Sequence, residues 1–200
     1  MRSSAVPGAR RPTCRSGRRS THSSTRSRIT RALGAARSGD VAAAEKEAEA
    51  LAGLHKALQD AKNTYWATEL EVQRLATAAW IALAKKSNDE ALKLMRAAAD
   101  LEDRNEKHIV TPGRILPARE MLGDMLMETG QNALALKEYE TSQVREPNRF
   151  RGLYGAALAA EQSGDRERAA TYYRRLAEMT KSGASPRPEL TRVKAAVAMR

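Results

Sequence analysis

The sequence predicts an all-α protein made of successive antiparallel helical hairpins. Aromatic residues supply 4% of the 200 residues and hydrophobic residues 42%, so the core must consist mainly of small and aliphatic side chains. Alanine alone contributes 37 residues, and it is the strongest helix former, with a side chain short enough for close helix packing. A β-sandwich would favour β-branched and aromatic residues instead.

The net charge of +11 comes almost entirely from the N-terminal segment. Residues 1–39 contain ten arginines and no acidic residue, which leaves 25 of the 35 Lys and Arg residues against 24 Asp and Glu residues in the segment 40–200. The predicted folded part is therefore nearly neutral. The basic isoelectric point is for this reason no evidence for a nucleic-acid-binding domain.

Residues 1–27 are predicted to be a disordered tail, because Arg, Ser and Thr dominate them and leave little apolar surface to bury. Three interpretations of this tail stay open. It resembles an organelle-targeting segment, which is typically rich in Arg and Ser and poor in acids. It could also be an arm that binds nucleic acid through its arginines. The third interpretation is a dispensable or wrongly assigned N-terminal extension.

Several classes of protein are excluded by residue counts. The single cysteine, Cys14, excludes an intramolecular disulfide framework and a Cys-rich zinc site. The longest apolar run covers residues 75–84, about half of the 20 residues that a membrane-spanning helix needs. The N-terminus also lacks the apolar run of a secretory signal peptide. These observations favour a cytoplasmic protein without a membrane partner.

Turn-forming residues divide the rest of the chain into nine predicted helices, which form four hairpins and a terminal helix. The helices are expected at residues 29–37, 41–59, 64–85, 88–104, 116–129, 131–145, 149–162, 166–180 and 186–199. Gly39, Gly130 and Gly164 each follow a predicted helix, and glycine readily takes the left-handed conformation that ends one.

The starts of several helices also carry recognisable signals. Asp40 and Asp165 can accept hydrogen bonds from the free amides at the start of the next helix. Residues 87–90 read Ser-Asn-Asp-Glu and fit a capping box. Ser185 followed by Pro186 fits the start of the terminal helix, since proline is tolerated in a first helical turn.

The last two hairpins repeat the same residue types with a step of 34 residues. The matching pairs are Gly130 with Gly164, Ala135 with Ala169, and Tyr139 with Tyr173. Small residues also occur in the first helix of each hairpin, at Gly123 and Ala157, and Pro147 follows Tyr139 by eight positions. Small residues that face each other would let the two helices of a hairpin approach closely. The tyrosines would then fill the space toward the next hairpin.

This pattern resembles the tetratricopeptide repeat (TPR), a helix–turn–helix unit of 34 residues with small and aromatic residues at fixed positions. The resemblance implies a right-handed α-solenoid with a C-terminal capping helix, similar to the C-terminal repeats of uncharacterised bacterial TPR-containing proteins. The repeat domain is expected over residues 28–200. Its units are expected at residues 28–60, 64–104, 116–148 and 149–181, and its cap at residues 186–199.

The resemblance also implies a protein–protein interaction module that binds a partner segment in a groove formed by the first helix of each hairpin, without catalysis or a cofactor. The groove positions transferred to this sequence are Trp80, Glu120, Asp124, Met127, Arg151, Tyr154, Leu158 and Glu161. Aromatic residues and arginine are frequent binding hot spots. Trp80 lies in the apolar run 75–84, so core packing explains it equally well. The acidic groove positions favour a basic or neutral peptide.

Other interpretations stay open. Residues 102–108 combine acids with His108, and both are metal-ligand types, so a weak metal or catalytic site is one alternative. Arg104 and Lys107 would weaken cation binding, and a bend with its own hydrogen bonds is the favoured explanation. His55 is expected on a solvated face. The chain could be the C-terminal end-piece of a larger repeat array, and its uncapped first hairpin could drive self-association. Nucleic acid is expected as a partner only through the tail.

Overall fold

The computed structural model describes residues 21–106, 116–182 and 186–198. Within these residues the chain is helical and contains no strand, so the predicted all-α class is confirmed. The helices are α1 (Thr21–Arg37), α2 (Val41–Asp60), α3 (Thr64–Ala84), α4 (Asn88–Arg104), α5 (Ala118–Glu128), α6 (Asn132–Arg145), α7 (Phe150–Gln162), α8 (Arg166–Met179) and α9 (Pro188–Ala198). None of the helices in this described part is long and apolar enough to cross a membrane.

Helix α1 begins at Thr21, eight residues before the predicted start. Residues 21–27, which the sequence places in the tail, are therefore helical in the structure, and residues 1–20 lie outside the described residues. Extending a formed helix costs little per residue, in contrast to starting one. The helix is also fixed to α2, because Arg28 and Arg31 both donate to the Glu47 carboxylate, at 2.9 and 2.7 Å. The other helices begin and end within two residues of their predicted positions.

The turns between the paired helices use the predicted glycines. Gly39, Gly130 and Gly164 have φ angles of 84°, 76° and 84°, which lie in the left-handed region that ends a helix. Asp40 and Asp165 then cap the following helices, and each accepts a backbone amide hydrogen bond at 3.0 Å. These local signals are sufficient to place the three turns and the starts of the two capped helices.

Two predicted signals at helix starts differ in the structure, although α4 begins at Asn88 as predicted. The Ser87 side chain makes no capping hydrogen bond, so the capping box is not formed; instead Asp89 and Glu90 place negative charge in the first turn of α4, where the helix dipole favours it. Helix α9 begins at Pro188 rather than at Pro186, which also puts a proline in the first turn. Ser185 lies outside the described residues.

The hairpins stack in chain order, and each helix packs against the next one in the described chain. The first helices of successive hairpins also touch, because α1 contacts α3, α3 contacts α5, and α5 contacts α7. No comparable contact joins successive second helices in the described segments. The stack therefore curves toward the first helices, and we call the surface that these helices and α9 form the inner face. The surface of α2, α4, α6 and α8 is the outer face.

One continuous core runs through most of the stack, from Ala36 in α1 to Val193 in α9. Alanine, leucine and methionine dominate it. A separate small cluster joins Ala32, Leu51 and Leu70 at the N-terminal end. The N-terminal hairpin therefore buries fewer side chains than the central hairpins, as expected of a terminal repeat.

Tyr139 is the largest side chain at the joint between the third and fourth hairpins, and only 2% of it is exposed. Its ring lies against Gly123 of α5 and Gly155 of α7. A Cβ atom added to Gly123 would lie 2.7 Å from the ring, and one added to Gly155 would lie 2.5 Å from it. Glycine at both positions thus provides the space for the ring. The sequence predicts that Gly123 faces Ala135. In the structure, the missing side chain of Gly123 provides space for the Tyr139 ring instead.

Replacing Gly155 with alanine is expected to destabilise the chain by about 1–3 kcal/mol, the usual cost of overpacking a filled core. Gly53 in α2 is the matched control, since a Cβ atom there would meet nothing within 4 Å. Gly53→Ala is expected to stabilise the chain by about 0.5–1 kcal/mol, because alanine favours an exposed helix interior. Urea unfolding followed by circular dichroism measures both changes. Equal effects at the two positions would contradict the described packing of Tyr139.

Candidate functional site

The inner face carries two copies of one polar arrangement, which we call the Tyr–acid–Arg triads. In the first, the Tyr139 hydroxyl donates to Asp124 Oδ1 at 2.7 Å, and Arg151 donates to Asp124 Oδ2. In the second, the Tyr173 hydroxyl donates to Glu161 Oε2 at 2.6 Å, and Arg192 donates to the same oxygen at 3.0 Å. In each triad the tyrosine comes from the same hairpin as the acid, and the arginine comes from the next element of the stack. The triads therefore join neighbouring units across the inner face.

The protonation states of the second triad follow from its geometry. Burial and the hydrogen bond to Glu161 raise the pKa of Tyr173 to about 12. The hydrogen bond from Tyr173, together with Arg192, lowers the pKa of Glu161. At neutral pH the tyrosine therefore stays a hydrogen-bond donor and the acid stays a carboxylate. Burial similarly raises the pKa of Tyr139.

Arg37 extends this polar network to the N-terminal hairpin. Its guanidinium lies over the Trp80 ring, 4.4 Å from the centroid, and its Nη2 donates to Glu128 at 3.1 Å. Its Nη1 lies 3.7 Å from Asp124 Oδ2, the same oxygen to which Arg151 donates. The end of α1 thus contacts α3 and α5, and two guanidinium groups meet at one carboxylate oxygen.

Glu120 lies beneath this network and is fully buried. Its Oε1 accepts from Arg149 Nε at 2.8 Å, and Arg151 Nε lies 3.9 Å from its Oε2. Burial raises the pKa of Glu120, and the contact with Arg149 opposes that rise. Gly152 provides the space for the carboxylate, because a Cβ atom there would lie 2.8 Å from Glu120 Oε1. This acid belongs to the joint between α5 and α7.

The eight predicted groove residues divide into two groups in the structure. Trp80 is 3% exposed and Glu120 is fully buried, so neither is available for direct contact with a partner, and for Trp80 the packing interpretation applies. The other six lie at the surface of the inner face: Asp124, Met127, Tyr154 and Leu158 are partly buried, and Arg151 and Glu161 are exposed. All six belong to α5 and α7, and among them Arg151 pairs with Asp124.

Sequence reasoning missed several residues of this face. Arg37 donates to Glu128, 91 residues away, and lies 3.7 Å from the predicted acid Asp124. Arg192 donates to the predicted acid Glu161, 31 residues away. No local pattern marks such pairs. Gly152 and Gly155 were also missed, although two glycines three positions apart inside a helix are a signal for close packing on one side.

The acids before the connection to α5 have structural partners. Glu102 is buried and accepts the Ala118 backbone amide at 2.7 Å, which caps α5. Asp103 accepts from Arg119 Nε at 2.6 Å, and Asn105 donates to Glu69 at 2.7 Å. No group of His, Cys, Asp and Glu in the described segments could hold a metal ion. His108 lies outside those segments.

His55 is not on a solvated face, contrary to the sequence analysis. Its side chain is 15% exposed, and its Nδ1 lies 3.5 Å from Glu71 Oε2. Helix α2 packs against α3 here, so the neighbouring helix α3 covers the His55 side chain. An open cavity of about 520 Å³ lies beside it, lined mainly by polar residues at the α2–α3 turn.

No protein-family model and no curated protein matches the sequence. Among solved structures, the chain is similar to a kinesin light chain-like protein of Podosopora anserina with nearly identical TPR-like repeats. A single-substitution form of that protein is 18% identical with a TM-score of 0.57, covering 89% of this chain and 88% of that chain. A second structure of the protein is 17% identical with a TM-score of 0.56, covering 89% of each chain. MamA of AMB-1 is 19% identical with a TM-score of 0.46, covering 86% of this chain and 98% of that chain.

The likeness to the Podosopora anserina structures shows that the chain has a TPR-like fold. The helical hairpins, their stacking in chain order and the predicted solenoid class are thereby confirmed.

Proposed function

We propose that this chain is a non-catalytic protein-interaction module that binds an extended segment of a partner protein along its inner face. The observation that carries the proposal is a row of surface side chains on α5 and α7, in which the Tyr–acid–Arg triads hold Asp124, Arg151 and Glu161 in place. Such pre-organisation lowers the entropy cost of binding, because the side chains are already ordered before the partner arrives.

The row offers apolar contacts as well as polar ones. Met127, Tyr154 and Leu158 are partly exposed on the inner face. The Tyr154 ring stacks on Phe150 with its centroid 6.1 Å away and an interplanar angle of 8°, which fixes its orientation. Rigid aromatic side chains with an arginine nearby are the typical anchors of protein interfaces. The arrangement therefore supports binding of a chain segment with apolar and polar side chains.

The experiment is selection of peptides from a random library displayed on phage, with the full chain as bait. Leu158→Glu places a charge among the apolar contacts of the row. Val144→Glu is the matched control, because Val144 lies on α6 at the outer face and is 83% exposed. We expect selected peptides to bind the wild type and Val144→Glu equally and to lose about tenfold or more in affinity for Leu158→Glu.

Circular dichroism melts of both variants show whether the fold is kept. Peptides that bind all three proteins equally would overturn the proposed location. Failure to select any peptide above background would count against the proposed function itself.

A further inference from the structure

We propose that the partner segment is acidic, and that its carboxylates bind Arg37, Arg151 and Arg192. The proposal rests on the proposed function and specifies the charge of the partner. It reverses the expectation from the sequence, in which the acids of the groove favour a basic or neutral peptide.

Two acids of the inner face are more deeply buried than the arginines that lie beside them. The Asp124 side chain is 15% exposed and that of Glu120 is fully buried, whereas those of Arg151 and Arg37 are 45% and 42% exposed. The guanidinium groups therefore lie above the carboxylates. Above Asp124 and Glu120, a partner that approaches the inner face therefore meets the arginines before these carboxylates.

The arginines and Asp124 use their hydrogen-bonding groups to different extents. Both oxygens of Asp124 already accept, one from Tyr139 and one from Arg151. A guanidinium has five N–H donors, and the described contacts of Arg37 and Arg151 use only part of them. A carboxylate from a partner can bind the remaining donors without breaking an existing contact. A lysine or arginine from a partner would instead compete with Arg151 and Arg37 for the oxygens of Asp124, whose side chain is 15% exposed.

Two arginines of the inner face lie next to each other. Arg37 and Arg151 converge on one oxygen of Asp124, so their guanidinium groups are adjacent. Arg37 lies over the Trp80 ring and its Nη2 donates to Glu128, so the N–H groups that these contacts leave unused are those that a carboxylate would bind. Glu128 and Glu161 are the half-exposed acids of this surface, and each is held by an arginine, Arg37 and Arg192 respectively. An acidic side chain can therefore bind beside each of these pairs.

The test uses Trp80 as a local reporter in the full-length chain. Trp66→Phe removes the other tryptophan, so the remaining emission comes from the ring that Arg37 covers. Binding of octaglutamate is expected to shift this emission with saturation, and octalysine and a neutral Gly-Ser peptide are expected to leave it unchanged. The arginines of residues 1–20 also attract octaglutamate, so the comparison of Arg151→Gln with its control, and not the emission shift alone, assigns the site.

Arginine variants made in the Trp66→Phe chain locate the site. We expect Arg151→Gln to raise the dissociation constant of octaglutamate about fivefold or more, since an ion pair in a partly buried groove contributes well above a fully exposed one. Arg174→Gln is the matched control: it removes the same charge from α8, where Arg174 contacts Ala170 and Thr171 instead of an acid. We expect it to change the constant less than twofold.

The proposal is overturned if octalysine shifts the Trp80 emission and octaglutamate does not, or if Arg174→Gln weakens binding as much as Arg151→Gln. It is also overturned if the phage-selected peptides bind at Leu158 and are neutral or basic. That last outcome leaves the proposed function standing, so the two failures are distinguishable.

Discussion

Tyr139→Ala is expected to lower the free energy of unfolding by about 3–5 kcal/mol, the range for removal of a large buried aromatic side chain. The ring fills the space between Gly123 and Gly155. Two glycines cannot fill the cavity that remains, because neither has a side chain to move into it. Stabilities of native domains are about 5–15 kcal/mol in total, so this one change removes a large part of it. Thermal and urea unfolding measure the loss.

Tyr139→Phe is the control for this prediction. It keeps the ring and removes the hydroxyl that donates to Asp124 at 2.7 Å. The expected cost is about 1 kcal/mol, typical of one hydrogen bond, because Asp124 keeps its contact with Arg151. A loss in Tyr139→Phe as large as that in Tyr139→Ala would show that the hydroxyl, rather than the ring, holds the joint together.

Glu120→Lys is the second substitution with a large expected effect. Glu120 is fully buried and lies against Arg149, so a lysine there would place a second positive charge beside the arginine without a partner. Breaking a buried ion pair costs about 3–5 kcal/mol. We expect Glu120→Lys to unfold at a much lower urea concentration than the wild type.

Glu128→Lys is its matched control on the same helix and the same face. Glu128 is 46% exposed and pairs with a half-exposed arginine, and such surface pairs contribute about 0–1 kcal/mol. Its urea midpoint should lie close to that of the wild type. If Glu120→Lys were tolerated as well as Glu128→Lys, the described burial of Glu120 would be incorrect.

Helix α5 shows what the sequence could predict and what it could not. Glu120, Asp124 and Glu128 are spaced four positions apart, so the helical period places them on one face, and the groove prediction includes the first two. Their exposed fractions rise from 0% to 15% to 46% along the helix. This gradient depends on how far α7 covers α5, and Gly152 and Arg149 of the next hairpin determine that. The period of one helix contains no information about its neighbour.

The turns and helix starts were predictable for the opposite reason. Gly39, Gly130 and Gly164 act on the residues next to them, and so do Asp40 and Asp165. The long-range contact of Arg37 with Trp80 and α5 joins parts of the chain that only the curvature of the stack brings together. The proposal of an acidic partner rests on that contact, which no local pattern in the sequence reveals.

The Tyr–acid–Arg triads have a consequence for the way the stack opens. Each acid is held both by a tyrosine of its own hairpin and by an arginine of the following element, so separating two units leaves a carboxylate without one of its donors. The third and fourth hairpins and α9 are thereby linked as one cooperative block. The first hairpin joins its neighbours partly through the small separate cluster around Leu51. In a linear array of repeats such a difference sets where fraying begins, and amide hydrogens of α1 and α2 should exchange with solvent before those of α5 to α8.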